Sequence, residues 1–510
     1  MNNLKLYVAG FSLGLLAMTW LTACSPSDGK RKLEWALEQA VSNRAELEQV
    51  LAHYEGDSLK YEAACFLIGN MPYHYAAESW FVSPKGYRYR PDLALFVGKE
   101  DVERHCDSLM ASGYRIECQN LYDIRHIRAD YLIRQIDGAF EVWKKPWAKE
   151  VSFDDFCRYI LPYRSQNEPL VTLADTFRMR YLPLLDSAGV QTTFEACCLI
   201  NDRLKKEIKY AETGSPLSGS VDDMERARKG ACEALCDYTV HVMRALGIPV
   251  AVHQTVWTRM ARGHVWPAVL SGGCFHDFSP GDQNPEAYPE TLYRVAYLKP
   301  AKVYRKSYEA LPKVVSTGDD SYVTFLKSPL LEDVTSGQKV RTYTLCIPTD
   351  DTVGKKKGKL LYLCAFNSLR WTPVAMGYTD GSGKAVFTHV AGRNFFMVAA
   401  AEGKDRLRMV APPVCTYGDG RFKVLSPQFS RPVRHTFMKG KDDEERVLEY
   451  WDCEERRFVS LPPDEVTDTT TVYGNVPCDA LLFYRLKMPS EHDRVGVIDS
   501  AGVYRQSASW

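Results

Sequence analysis

The 510-residue chain lacks a net charge, because 64 lysines and arginines balance 64 aspartates and glutamates. That balance leaves no basic footprint for nucleic acid and no one-sided field for a strongly charged partner. Past the N-terminus there is no apolar run of the roughly 18 residues a membrane span requires, so any membrane attachment falls to the first residues. Internal repeats and low-complexity tracts are missing as well, which argues against a solenoid. The 15 cysteines follow no framework spacing, so they read mostly as buried thiols and no disulfide pairing is assigned. What is present suits large globular cores: 45% of residues are hydrophobic and 12% aromatic. The length suggests about three or four domains.

The N-terminus sets the expected location. Lys5 precedes a nearly unbroken apolar run from Leu6 to Trp20, followed by Leu21-Thr22-Ala23-Cys24. Small residues before a cysteine, directly after an apolar segment, resemble the lipobox of bacterial lipoproteins. The resemblance implies removal of residues 1–23, a lipid on Cys24 and a place in the cell envelope, on the periplasmic side or the cell surface. An ordinary secretory signal is the plainer alternative.

The chemistry concentrates between Gly230 and Pro280. From Cys232 the small or apolar residues Cys236, Thr239, Met243 and Leu246 recur at helical spacing, and Gly247 and Pro249 stop the helix. The sulfur of Cys232 is thereby placed at a helix start, where free N–H groups and the helix dipole favour a thiolate. Val250 to Thr258 alternates as a strand, a second strand follows from His264, and Ser271-Gly272-Gly273 turns into a third at 274–278. A two-residue loop at Ser271-Gly272 would set Trp266 opposite Asp277 and His264 diagonally from it. A thiolate, an imidazole and a carboxylate in that arrangement form the nucleophile, base and orienter of covalent acyl transfer. His253 and His276 are rival bases and Asp282 a rival orienter. Cys236 reads as core, and Cys232, Cys236, Cys274 and His276 are too poorly spaced for a zinc site, so no metal or cofactor is expected.

The run GACEALCDYTVHVMRALGIP, the GHVW stretch and the HDFSP segment resemble the cysteine, histidine and aspartate motifs of the transglutaminase-like superfamily, a papain-like thiol fold. FCRYILPYRSQNEPL with the helices before it resembles Bacteroidetes lipoproteins carrying this fold. Family members commonly carry another residue where Pro267 stands, and the tryptophan usual before the aspartate is missing ahead of Asp277. The resemblance implies Cys232 as nucleophile, His264 as base and Asp277 as orienter.

The expected architecture is a multidomain α+β chain: a helical domain over 24–150, a papain-like transglutaminase core over 151–310, a β-sandwich domain over 311–425 and a second all-β domain over 426–510. Asn43 with Glu46 reads as a capping box, Asp57 as the cap of the next helix, and 101–145 as mostly helical, with Leu121, Ile124, Ile127, Tyr131 and Ile133 on its apolar stripe. Arg164 and Glu168 read as structural ion-pair residues, and 214–221 as a loop that shapes the cleft. Trp371, Tyr378, Trp451 and Tyr484 read as core. The function expected is that of a lipid-anchored thiol enzyme cleaving amide bonds in a peptide, a protein or a glycan-linked substrate, by hydrolysis rather than transamidation. The alternative is an inactive envelope lipoprotein that binds a glycan or peptide.

Overall fold

The computed structural model describes residues 26–258, 263–289, 292, 300–312, 324–403, 406–439, 446–490 and 493–506. Cys24 and the segment before it lie outside these residues. The protein is α+β, with helices first and antiparallel sheets after.

The first helices, Pro26–Gln39, Arg44–His53 and Ser58–Asn70, pack with Ala129–Trp143 through Leu47, Val50, Leu67, Leu132 and Ile136. Asp57 caps its helix as expected, accepting from the Lys60 N–H. The capping box does not form. Asn43 makes no side-chain cap and instead donates to the carbonyls of Ile124 and Ile127 at 3.2 and 2.9 Å. Glu46 accepts from the Ala129 N–H at 2.9 Å, placing a carboxylate at the start of a different helix, where the dipole favours it. A pair that looks local thus ties together segments more than eighty residues apart.

Residues 101–145 are also less helical than expected. Lys99–Ala111 is a helix, but Gly113 adopts φ 84° and the chain continues into the strand Arg115–Tyr122. That strand pairs along its whole length with Tyr75–Val82, from Tyr75↔Tyr122 to Val82↔Arg115. Leu121 is therefore a strand residue, and Tyr131 and Ile133 belong to a separate helix. Sheet pairing with a distant segment overrides the apparent helical period.

The central unit is a five-stranded antiparallel sheet in the order Leu331–Asp333, Tyr304–Lys306, Val250–Val256, Gly263–Ser271, Cys274–Asp277. One face, with Val250, Val252, Val265 and Val269, buries against Cys236, Val240 and Met243 of the helix Cys232–Ala245 and against Ile200 and Leu204 of Thr193–Glu207. The latter helix carries a complete capping box, Thr192 with Glu195.

After residue 340 the regular elements among the described residues are all strands. Eight strands between Thr342 and Val424 form one antiparallel sheet whose inner face, with Leu345, Leu363, Phe387 and Phe396, has its own core. Its outer face, with Tyr362, Phe366 and Met397, packs on Trp451, Leu481 and Phe483 of a second five-stranded sheet. That sheet is covered on its far side by Phe437, Tyr473 and Val476 from a three-stranded one. Trp371, Trp451 and Tyr484 are buried as expected, whereas Tyr378 is exposed.

Candidate functional site

The helix Cys232–Ala245 begins at the predicted residue, with Ala231 as its N-cap in extended backbone. A Cβ at Gly230, just before it, would lie 2.5 Å from the Met224 sulfur and push that side chain aside. The start position does not lower the Cys232 thiol. Burial pushes it above its ordinary value and the Glu233 carboxylate adds to this, outweighing the N–H groups of Val265 and Glu233 that pull the other way.

The turn between the second and third strands lies one residue later than expected. Ser271 pairs with Cys274, so the two-residue loop is Gly272-Gly273, with φ 59° and 75°. Two consecutive positive φ values are what a type I′ hairpin demands, and a Gly-Gly pair meets them without steric cost. Asp277 consequently faces Ala268, not Trp266. The expected diagonal approach to His264 moves two residues along the strand.

Asp277 meets a different histidine. Its Oδ1 lies 2.7 Å from His253 Nδ1, and the Arg305 Nε–H donates to His253 Nε2 at 3.2 Å. Arginine only donates, so Nε2 must accept and Nδ1 must carry the proton that Asp277 receives. His253 is fully buried with both nitrogens engaged, which leaves it no free nitrogen to act as a base.

His264 lies opposite Thr255 and on the same sheet face as Trp266, Ala268 and Asp277. Its ring stacks on Trp257 and Trp266 at 5.6 and 5.5 Å, and its Nε2 is 2.9 Å from the hydroxyl of buried Tyr288. Burial lowers its pKa to about 4, so it is neutral at physiological pH. The sulfur of Cys232 feels the N–H of Val265, the residue that follows His264. Among the described residues no hydrogen bond joins Cys232 and His264. His276 packs edge-on against Phe194 with Nε2 3.3 Å from the Ser271 carbonyl. Asp282 is exposed in the following turn.

A cavity of about 1140 Å³ borders the helix start. Ala231 and Glu233, the chain neighbours of Cys232, line its wall, Gln254 and Lys306 project from the sheet, and the 214–220 loop contributes a rim, as expected of it. Beneath lies a buried polar network. Glu168 bonds His241 at 2.7 Å and accepts from the Ser165 and Gln166 N–H groups at 2.8 Å each, contacts that hold its carboxyl well below the usual range. Arg164 forms a bidentate pair with Asp123 at 2.6 and 2.5 Å, whereas Glu168 lines the cavity. Asp237 receives hydrogen bonds from Ser165 Oγ at 2.5 Å and Gln166 Nε2 at 2.9 Å. Burial and the neighbouring Glu168 push it up to about 8. Sequence reasoning missed Tyr288, Asp237 and Lys306. Tyr288 and Lys306 lie among other polar residues, NPEAYPE and YRKSYE, so nothing local singles them out.

Residues 185–280 match the family model of the Transglutaminase-like superfamily. The chain therefore carries a transglutaminase-like domain there, spanning Cys232, His264 and Asp277. A candidate cysteine protease from Cytophaga hutchinsonii is similar at 16% identity over 22% of this chain and 38% of its own, with a TM-score of 0.19. The similarity thus spans well under half the length of that solved structure. No curated protein matches the chain.

Proposed function

We propose that the protein is a thiol enzyme of the cell envelope that cleaves amide bonds by acyl transfer to Cys232, with hydrolysis of the acyl-enzyme completing the cycle. The observation that carries this reading is the coincidence of the transglutaminase-like match with a helix that starts at Cys232 beside a large cleft. His264 takes the thiol proton as the sulfur attacks the carbonyl and returns it to the leaving amine, and the N–H groups at the helix start stabilise the oxyanion. His264 lies on the sheet face away from the helix with Nε2 engaged to Tyr288, so its Nδ1 reaches the thiol only after the ring turns towards the helix start. Asp277 as orienter of His264 would require a change from its present pairing with His253. A lipid on Cys24 would hold the enzyme at the membrane.

A second reading, a glycan- or peptide-binding envelope lipoprotein, is favoured by one observation: thiol and imidazole are both neutral and not bonded to one another. Acylation by p-nitrophenyl acetate, followed by mass spectrometry of Cys232, separates the two. The enzyme forms a transient acetyl-Cys232 that turns over, and His264→Ala slows that turnover at least about a hundredfold, the usual weight of a general base. A stable adduct, or turnover indifferent to His264, favours the binding protein.

A further inference from the structure

Lys306 stands apart among the charged residues around the cavity. It projects from the strand Tyr304–Lys306, opposite Val252, on the sheet face that carries the nucleophile helix. Its Nζ donates one hydrogen bond, to Asn167 Oδ1 at 2.9 Å. Among the described residues no carboxylate stands at ion-pair distance from it. The nearest acids have other partners: Glu168 accepts from two backbone N–H groups and bonds His241, and Asp237 accepts from Ser165 and Gln166 through Oδ1. Other cations on the wall have partners. Arg90 pairs with Asp223, Lys99 with Glu103, and Lys229 donates to the carbonyls of Phe96 and Val97.

Lys306 is half-buried, and folded proteins rarely leave a partly desolvated ammonium with two of its three donors unused, because desolvation is offset by a countercharge. Here the open donors line a cavity that reaches the start of the nucleophile helix, so the missing countercharge is one that an occupant would bring. Gln254, on the neighbouring strand and paired with Val265 in the ladder, borders the same space and offers a carboxamide with no hydrogen bond among the described residues. An ammonium and an amide on one wall suit a carboxylate next to a peptide group.

We propose that Lys306 is the anchor for a substrate carboxylate, and that the cleft beside Cys232 takes peptide-like amides bearing a free carboxylate rather than neutral or amidated ones. The assignment names the substrate class of the proposed site and rests on that reading, but it is read out at Lys306 itself. The test uses the full mature chain with Cys24→Ser. Lys306 is acetylated with acetic anhydride in the presence of N-acetyl-trialanine with either a free C-terminal carboxylate or an amide, exposed Lys85 serving as internal reference. At a concentration near ten times its dissociation constant, the carboxylate peptide slows Lys306 acetylation about tenfold while the amide changes it less than about twofold. It also slows iodoacetamide alkylation of Cys232, an effect that Lys306→Met abolishes and Lys306→Arg retains. Equal slowing by both peptides, or by neither, overturns the assignment. Protection of Lys306 without acyl turnover at Cys232 sinks the enzyme reading alone, and turnover without protection sinks the carboxylate anchor alone.

Discussion

The two faces of the central sheet treat ionisable groups in opposite ways. On the face away from the nucleophile helix, His253, Asp277, His264 and Tyr288 are paired off, two by two, among Trp257 and Trp266. On the helix face, Lys306, Gln254 and the acids beneath them border open space. The first arrangement locks rings and tautomers; the second leaves donors for a ligand. A site built across both obtains rigidity from one face and recognition from the other.

The sharpest way to break this comparison is to remove the packing on the locked face. Trp266 is fully buried, and Trp266→Ala should cost about 3–5 kcal/mol in chemical denaturation. Gln254→Ala, on the open face, should cost less than about 0.5 kcal/mol. Next in size is the titration of His264. Its folded pKa of about 4 lies below the ordinary 6.5, so the unfolded chain takes up the proton first. The stability this neutral histidine contributes is complete above pH 6.5 and is lost as pH falls towards 4, by ~3 kcal/mol in all. In His264→Gln that part of the acid destabilisation should vanish when the two proteins are compared across this window. Buried His74, lowered to about 3, leaves a residual slope in both.

A smaller effect is expected from Tyr288→Phe. It deletes the hydroxyl facing His264 Nε2 and should cost about 1 kcal/mol, with the imidazole nitrogen shifts in NMR moving at His264 and not at His253. Smallest, and opposite in sign, is Lys306→Met, which removes an ammonium that burial disfavours. It should leave the melting temperature unchanged or slightly raised, by the equivalent of less than about 1 kcal/mol after allowance for solvent screening. A clear loss of stability would mean that Lys306 is a structural residue of the fold.

Much of the core site was legible because its signals are local. The start of the helix at Cys232, its end before Gly247, and the three strands around His264 follow from periodicity and from glycine and proline chemistry. The pairings were not legible. One residue of difference in the hairpin, Gly272-Gly273 in place of Ser271-Gly272, moved Asp277 along the sheet. The partner it finds, His253, lies 24 residues away on a strand that does not adjoin its own. Asn43 and Glu46 failed as a local cap for the same reason, since their partners at 124–129 compete for the side chains. The thiol's protonation state was missed because a helix start is visible in a sequence and burial is not.

The most direct test is the rate of Cys232 alkylation by iodoacetamide from pH 5 to 11, in the protein with Cys24→Ser and in the same protein with His264→Ala. A neutral thiol and a neutral imidazole predict a single rise with an apparent pKa above that of an ordinary thiol, no plateau at neutral pH, and the same apparent pKa in His264→Ala. A plateau of reactivity near neutral pH that disappears in His264→Ala would reveal a resting thiolate–imidazolium pair and contradict the account.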